Sequence, residues 1–154
     1  MSGAKILSTF AAAIIFFTGA IAQAEDPVEN PPAKKTVKDY AQNAQGDYTG
    51  LVVDCRGLGL KTAASPVIKN TNGTKIYGHK NLDIDKIISI GVADYVDDIK
   101  KCSRAGENPL VVKAVALEDF NCNPVVTVAD SNKILIENYA TKFLKNLSVV
   151  FLCD

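Results

Sequence analysis

Histidine is nearly missing: His79 is the only one in 154 residues. A multi-histidine metal site or a Ser-His-Asp constellation would rest wholly on that residue, and a lone histidine in a loop flanking a hairpin reads as a solvated side chain. Four cysteines, Cys55, Cys102, Cys122 and Cys153, include no Cys-x-x-Cys pair. That spacing argues against a dithiol redox motif and against a zinc ribbon. A surplus of positive charge is also lacking. The chain has 17 basic and 17 acidic side chains, whereas a general affinity for nucleic acid needs excess basic charge to neutralise phosphates. These residues call for no metal, no cofactor and no nucleic-acid partner.

The glycine pattern of a nucleotide-binding loop is incomplete as well. In "LVVDCRGLGLKTAASP", Leu51 to Pro66, a phosphate loop needs glycine directly before Lys61-Thr62, and Leu60 stands there. A dinucleotide loop needs a third glycine where Thr62 falls. Pro66 pushes Ser65 toward extended geometry rather than into a helix. The stretch reads as a structural turn in which Gly57 and Gly59 let the chain leave a buried strand, with Leu58 and Leu60 tucked into the core. Arg56 and Lys61 flank its exposed N–H groups. Arg56, Gly57, Gly59 and Lys61 therefore form a candidate binding loop for a small anion, an acidic ligand or a partner.

What is present begins with a leader. Lys5 supplies a positive start, Ile6 to Ala22 is apolar and contains "FAAAIIFF", and Ala22-Gln23-Ala24 is a small-x-small cleavage pattern. Residues 1–24 thus read as a signal peptide cleaved before Glu25. The competing reading is an uncleaved anchor, because 17 residues lie at the lower limit for crossing a bilayer. The first cysteine is Cys55, so no acylated lipoprotein anchor is expected. The expected mature protein is periplasmic and does not insert into the membrane after cleavage. An even set of cysteines in an oxidising compartment favours two disulfides over free thiols.

Residues 25–47 are polar and proline-rich and read as a flexible lead-in, with a short helical turn over 36–45; residues 48–154 read as one domain. "YTGLVVDCR" is a central strand by its apolar, β-branched run. Asn72-Gly73 between two short strands is a strong hairpin signal, because both residues tolerate positive φ. Asp83 is placed to cap a short helix that Gly91 interrupts, and Asp97-Asp98 open a second, turn-rich helix running to Arg104 that Gly106 closes. "GVADYV" is open between strand and helix. "NPLVVKAVAL" and "NPVVTVA" are strands, Asp130 or Ser131 caps a helix bearing Ile134, Leu135, Tyr139, Phe143 and Leu144, and "LSVVFLC" returns as a strand. The expected fold is α/β (α+β), with a single mixed sheet, a hairpin and two or three helices. Its C-terminal βαβ unit has Val125–Val128 and Val149–Leu152 parallel. Cys55 and Cys153 end core strands that would share an edge, which favours the pair Cys55–Cys153. Cys102 at a helix end and Cys122 in a turn leave Cys102–Cys122 as the second bridge.

The series "YTGLVVDCRGLGLKTAASPVI", "GTKIYG", "AGENPLVVKAVAL", "VTVADSNKIL" and "LSVVFLCD" resembles a module of exported bacterial proteins associated with flagellar assembly protein T and flagellum-associated outer-membrane lipoproteins. It covers about Tyr48 to Asp154. The resemblance implies an α/β domain of the cell envelope with a structural, assembly or protein-binding role and an envelope or flagellar protein as partner. Cys55 departs from it, standing where a small residue such as alanine is expected. The rival class is a periplasmic hydrolase whose fold gathers Asp54 with Asp94, Asp97 or Glu118, since paired carboxylates do acid/base work when their environments separate their pKa values. A third class, a eukaryotic secreted protein, is suggested only by the sequons Asn72-Gly73-Thr74 and Asn146-Leu147-Ser148.

Overall fold

The computed structural model describes residues 37–78 and 80–154. The leader, its cleavage site, the proline-rich stretch to Thr36 and His79 lie outside the described residues.

Four strands with apolar residues on both faces build the first sheet: β1 (Gly50–Asp54), β4 (Asp94–Val96), β5 (Pro109–Lys113) and β8 (Val149–Leu152), in the order β4-β8-β1-β5 and all parallel. Parallel sheets are covered on both sides; here β1 and β8 are, while Val111 of β5 is exposed on the outer face. Leu51, Val53, Val149 and Phe151 face the main core, while Val52, Val150 and Leu152 face a smaller cluster with Cys102 and Ala105. Two 3-10 turns, Ile99–Lys101 and Ser103–Ala105, cover that second face. They come so close that a Cβ at Gly50 would sit 2.4 Å from the Ala105 carbonyl oxygen and 2.7 Å from that of Ser148. Only glycine fits there. Within "GVADYV", Asp94–Val96 resolves as a strand; Asp98 and Gly106 cap as expected, but the second helix expected up to Arg104 is these two 3-10 turns, because Cys102 breaks the run between them.

The second sheet holds β2 (Ile68–Asn70), β3 (Lys75–Tyr77), β6 (Ala116–Glu118) and β7 (Asn123–Val126), in the order β3-β2-β7-β6. β2 and β3 form the hairpin around Asn72-Gly73. Asn70 fixes that turn, its side-chain oxygen accepting from the N–H groups of Asn72 and Thr74 at 3.0 Å each. The two sheets share a corner. Ala114 donates to the carbonyl of Asp54 in the first sheet (2.9 Å), and the next residue, Val115, donates to Val125 in the second (2.8 Å).

The fold is thus mixed α/β, but with two four-stranded sheets rather than one. The expected C-terminal βαβ unit is corrected accordingly. β7 pairs with β2 and β6, whereas β8 pairs with β1 and β4, so the connecting helix α3 (Val128–Thr141) carries the chain from one sheet to the other. The corner at Ala114-Val115 makes this route available. Thr127, not Asp130 or Ser131, caps α3: its hydroxyl oxygen accepts from the Asp130 N–H at 3.0 Å and its hydroxyl donates to the Asp130 carboxylate at 2.7 Å. α3 ends at Thr141 with Lys142 left-handed, so Phe143 and Leu144 reach the core from beyond the helix.

Helix α2 (Ile84–Ile90) lies between Asp83 and Gly91 as its capping signals indicate, and none of its residues is fully buried. Helix α1 (Val37–Asn43) falls inside the stretch expected as lead-in and packs against α3. The following loop is held by Glu137 of α3, a buried carboxylate that accepts from the N–H groups of Gln45 (3.0 Å) and Gly46 (3.3 Å). Burial of Phe143, Phe151, Leu51 and Ile134 supplies the driving force, at about 1.5–3 kcal/mol for each large side chain.

Candidate functional site

In a parallel sheet every strand delivers its loop to the same edge, and ligands bind where those carboxyl ends converge. Here Val96 ends β4, Leu152 ends β8 and Asp54 ends β1, and beyond them lies an open cleft of about 430 Å³. Leu60 and Thr62 form one wall, Tyr95, Val96, Asp97 and Lys101 another, and Cys153 and Asp154 the floor. Tyr95 holds the walls together. Its ring packs on Phe151 with centroids 5.3 Å apart, its hydroxyl oxygen accepts from the Ala63 N–H at 3.1 Å, and its hydroxyl donates to the Ala63 carbonyl at 3.3 Å.

The expected binding loop borders this cleft as a structural turn. Gly57 and Gly59 have φ of 79° and 73°, and Leu58 and Leu60 pack against the main core. Several of its backbone donors are used internally. The Gly57 N–H donates to the Asp154 carboxylate at 2.8 Å, and the Lys61 N–H donates to the Asn121 carbonyl at 2.8 Å. Arg56 forks onto Asp54 through Nε (2.9 Å) and a terminal nitrogen (2.7 Å). That bidentate bond holds the Asp54 carboxyl below the ordinary carboxylate range.

The four carboxylates of the hydrolase reading are each paired with a separate cation. Asp54 meets Arg56, Asp94 meets Arg104 (2.7 Å), Asp97 meets Lys101 (2.6 Å) and Glu118 meets Lys69 (2.8 Å). Asp94 starts its strand, at the opposite edge from Asp54 and Asp97. Those two share the cleft edge but stand two strands apart, roughly 10 Å by strand spacing. Lys101 holds Asp97 below its usual range. Among the described residues no group of three or more His, Cys, Asp or Glu side chains is arranged to hold a metal ion, and no helix is long and apolar enough to cross a membrane.

All four cysteines are free thiols, and they are unevenly placed. Cys55 and Cys153 follow the paired residues Asp54 and Leu152 and lie on the main-core face. Cys122 is within electrostatic reach of Tyr95, as are Cys55 and Cys153. Cys102 packs on the opposite face of the first sheet, against Val52, Val150 and Leu152. The structure therefore brings Cys55 and Cys153 together and keeps Cys102 apart from Cys122. Burial pushes the Cys55 thiol up to about 12, with the nearby Cys153 and Asp54 adding to the effect, and it pushes Cys153 up as well. Both are protonated at neutral pH, so neither is a ready thiolate nucleophile.

Sequence reasoning passed over a second feature beside the cleft. Asp119, Phe120 and Asn121 have φ of 52°, 61° and 67°, three successive left-handed residues without a glycine. For an ordinary L-residue such as Phe120 this costs roughly 1–2 kcal/mol, and single left-handed residues are the rule. The turn is held by its surroundings. Lys69 pairs with Asp119 at 2.8 Å, Asn123 donates to the same carboxylate, and Lys61 donates to Asn121. At its apex Phe120 is 92 % exposed. The signal available in "EDFNCNP" was its Asp and Asn content, since these residues tolerate left-handed backbone.

The family profile described as Treponema pallidum Tp0624, second domain, matches residues 50–154. The chain belongs to that family, and the match spans every strand of both sheets. No curated protein matches the chain.

Proposed function

We propose that this chain is an exported module of the bacterial cell envelope that acts in the periplasm through protein contact, in a structural or assembly role, rather than through catalysis. The observation that carries this reading is Phe120. An aromatic ring 92 % exposed on a strained, over-determined turn is an expense that packing within the domain does not explain. Strain of this kind collects at functional positions, and exposed aromatics are the side chains that anchor protein interfaces. The apolar face of α2, where Ile84 is 69 % and Ile88 79 % exposed, adds a second contact surface. Association with the flagellum or the outer membrane is the finer part of the proposal, and its support is the sequence resemblance of residues 48–154. Export is supported by the leader.

A photo-crosslinking amino acid at position 120, in protein expressed in a bacterial periplasm, tests the reading. A discrete adduct with an envelope protein, lost when the crosslinker is moved to Glu107 in another exposed loop, is the expected result. The same faint background at both positions would sink it.

A further inference from the structure

We propose that Cys55 and Cys153 are joined by a cross-strand disulfide when the protein meets an oxidant, with Cys102 and Cys122 outside the bridge. β1 and β8 are adjacent and parallel, and the register that pairs Asp54 with Leu152 places Cys55 beside Cys153 at the next step. The Cys55 N–H still donates to the Leu152 carbonyl at 2.8 Å, so the strands have not parted there. Neighbouring strands lie about 4.8 Å apart, inside the Cα separation of roughly 4.4–6.8 Å that a disulfide spans. Both side chains lie on the same face of the sheet, against the same core cluster. Each thiol donates only to the carbonyl two residues back on its own strand, Cys55 to Val53 at 3.6 Å and Cys153 to Phe151 at 3.5 Å. Rotation toward the other sulfur therefore breaks one long, poor contact per residue.

The cleft decides the order of events. Cys153 lines its floor and is partly exposed, whereas Cys55 is fully buried behind it. A small external disulfide, of the glutathione class, can reach Cys153 and not Cys55. The Cys153 thiolate attacks that disulfide, forming a mixed disulfide and releasing one thiolate of the oxidant. Cys55 then loses its proton and attacks the Cys153 sulfur, expelling the second thiolate. Two protons leave the protein, two electrons pass to the oxidant, and the external disulfide becomes two thiols. Because both protein thiols are held protonated by burial, the reaction quickens as pH rises.

The inference is independent of the protein-contact reading. Its test is oxidation of the mature chain with glutathione disulfide at pH 8, followed by alkylation, intact mass and non-reducing peptide mapping. The C102A/C122A double variant should lose two hydrogens, and both it and the wild type should yield a peptide linking positions 55 and 153, whatever glutathione the accessible Cys122 of the wild type takes up. In Cys55→Ala, glutathione should remain attached to Cys153, since the second step has lost its thiol. In Cys153→Ala, Cys55 should stay unmodified in the folded protein. A link from Cys153 to Cys122 or from Cys55 to Cys102, or four alkylatable thiols after oxidation of the wild type, overturns the proposal.

Discussion

Replacing Phe120 with glycine should make the domain more stable. The native φ at this position is 61°, where an L-residue pays roughly 1–2 kcal/mol for the clash of its Cβ with the following carbonyl, and glycine pays nothing. Glycine brings a cost of its own, roughly 0.5–1 kcal/mol of extra chain entropy lost on folding. The ring is 92 % exposed, so its removal forfeits almost no burial. The turn's tethers come from the side chains of Lys69 and Asn123 and the backbone of Lys61, none of which touches the ring through a hydrogen bond. The balance is a gain of about 0.5–1 kcal/mol. Phe120→Asn, which keeps a side chain but suits left-handed backbone, should gain a similar or smaller amount. Urea unfolding followed by circular dichroism reads this directly. With a slope of about 2 kcal/mol/M, the midpoint should rise by about 0.3–0.5 M. A midpoint lowered by 0.5 M or more in both variants would refute the reasoning, because it would mean that the ring holds the turn instead of being held out by it.

Two further outcomes follow from buried groups. Glu137→Ala removes the acceptor that clamps the N–H groups of Gln45 and Gly46. Hydrogen bonds to a charged group contribute about 1.5–3 kcal/mol each when buried, but these amides can turn to water. We therefore expect a loss of about 2 kcal/mol, together with rapid amide exchange across α1, which is too short at seven residues to persist undocked; unchanged exchange over residues 37–46 would contradict the clamp. Raising the pH should destabilise the reduced protein. The Cys55 thiol is raised in the fold from 9.0 to about 12, so the folded state keeps a proton that the unfolded chain gives up. Its contribution is complete below about pH 8 and declines as pH climbs from about 9 toward 12. Burial raises the Tyr77 phenol in the same direction. Urea midpoints between pH 7 and 10.5 should fall, and fall less in Cys55→Ala; equal slopes for the two proteins would remove Cys55 from the account.

Local chemistry made much of this fold readable. The run at Leu51 to Val53, the Asn72-Gly73 hairpin and the bounds of α2 at Asp83 and Gly91 each follow from a signal within a few residues. The common edge of Cys55 and Cys153 followed from strand ends alone. What was hidden depends on partners far along the chain. β7 and β8 both end in buried apolar residues, and nothing in either says which sheet takes it; the corner at Ala114-Val115 does. α1 is polar and unpromising by itself, yet it packs on α3, and the loop that follows it is clamped by Glu137, about 90 residues later. The cap of α3 was misplaced because it depends on where β7 stops, which leaves Thr127 free to accept from Asp130. The cleft needed the parallel order of four strands, and Phe120 needed the three tethers that hold its turn in place.

The place of β8 also sets a timetable. It lies between β1 and β4, yet its residue Leu152 pairs with Asp54, 98 positions earlier, and with Val96, 56 positions earlier. Such distant pairings form slowly, because a long stretch of chain must be gathered before any contact repays the effort. On the export route proposed here the polypeptide crosses the membrane from its N-terminal end. Until Val149–Leu152 emerge on the far side, β1 and β4 have a gap between them and their inward edges stay unpaired. On that route the first sheet is completed only by the last strand to cross. For the same reason a molecule clipped before Val149 is left with bare, apolar strand edges open to proteases and to other chains.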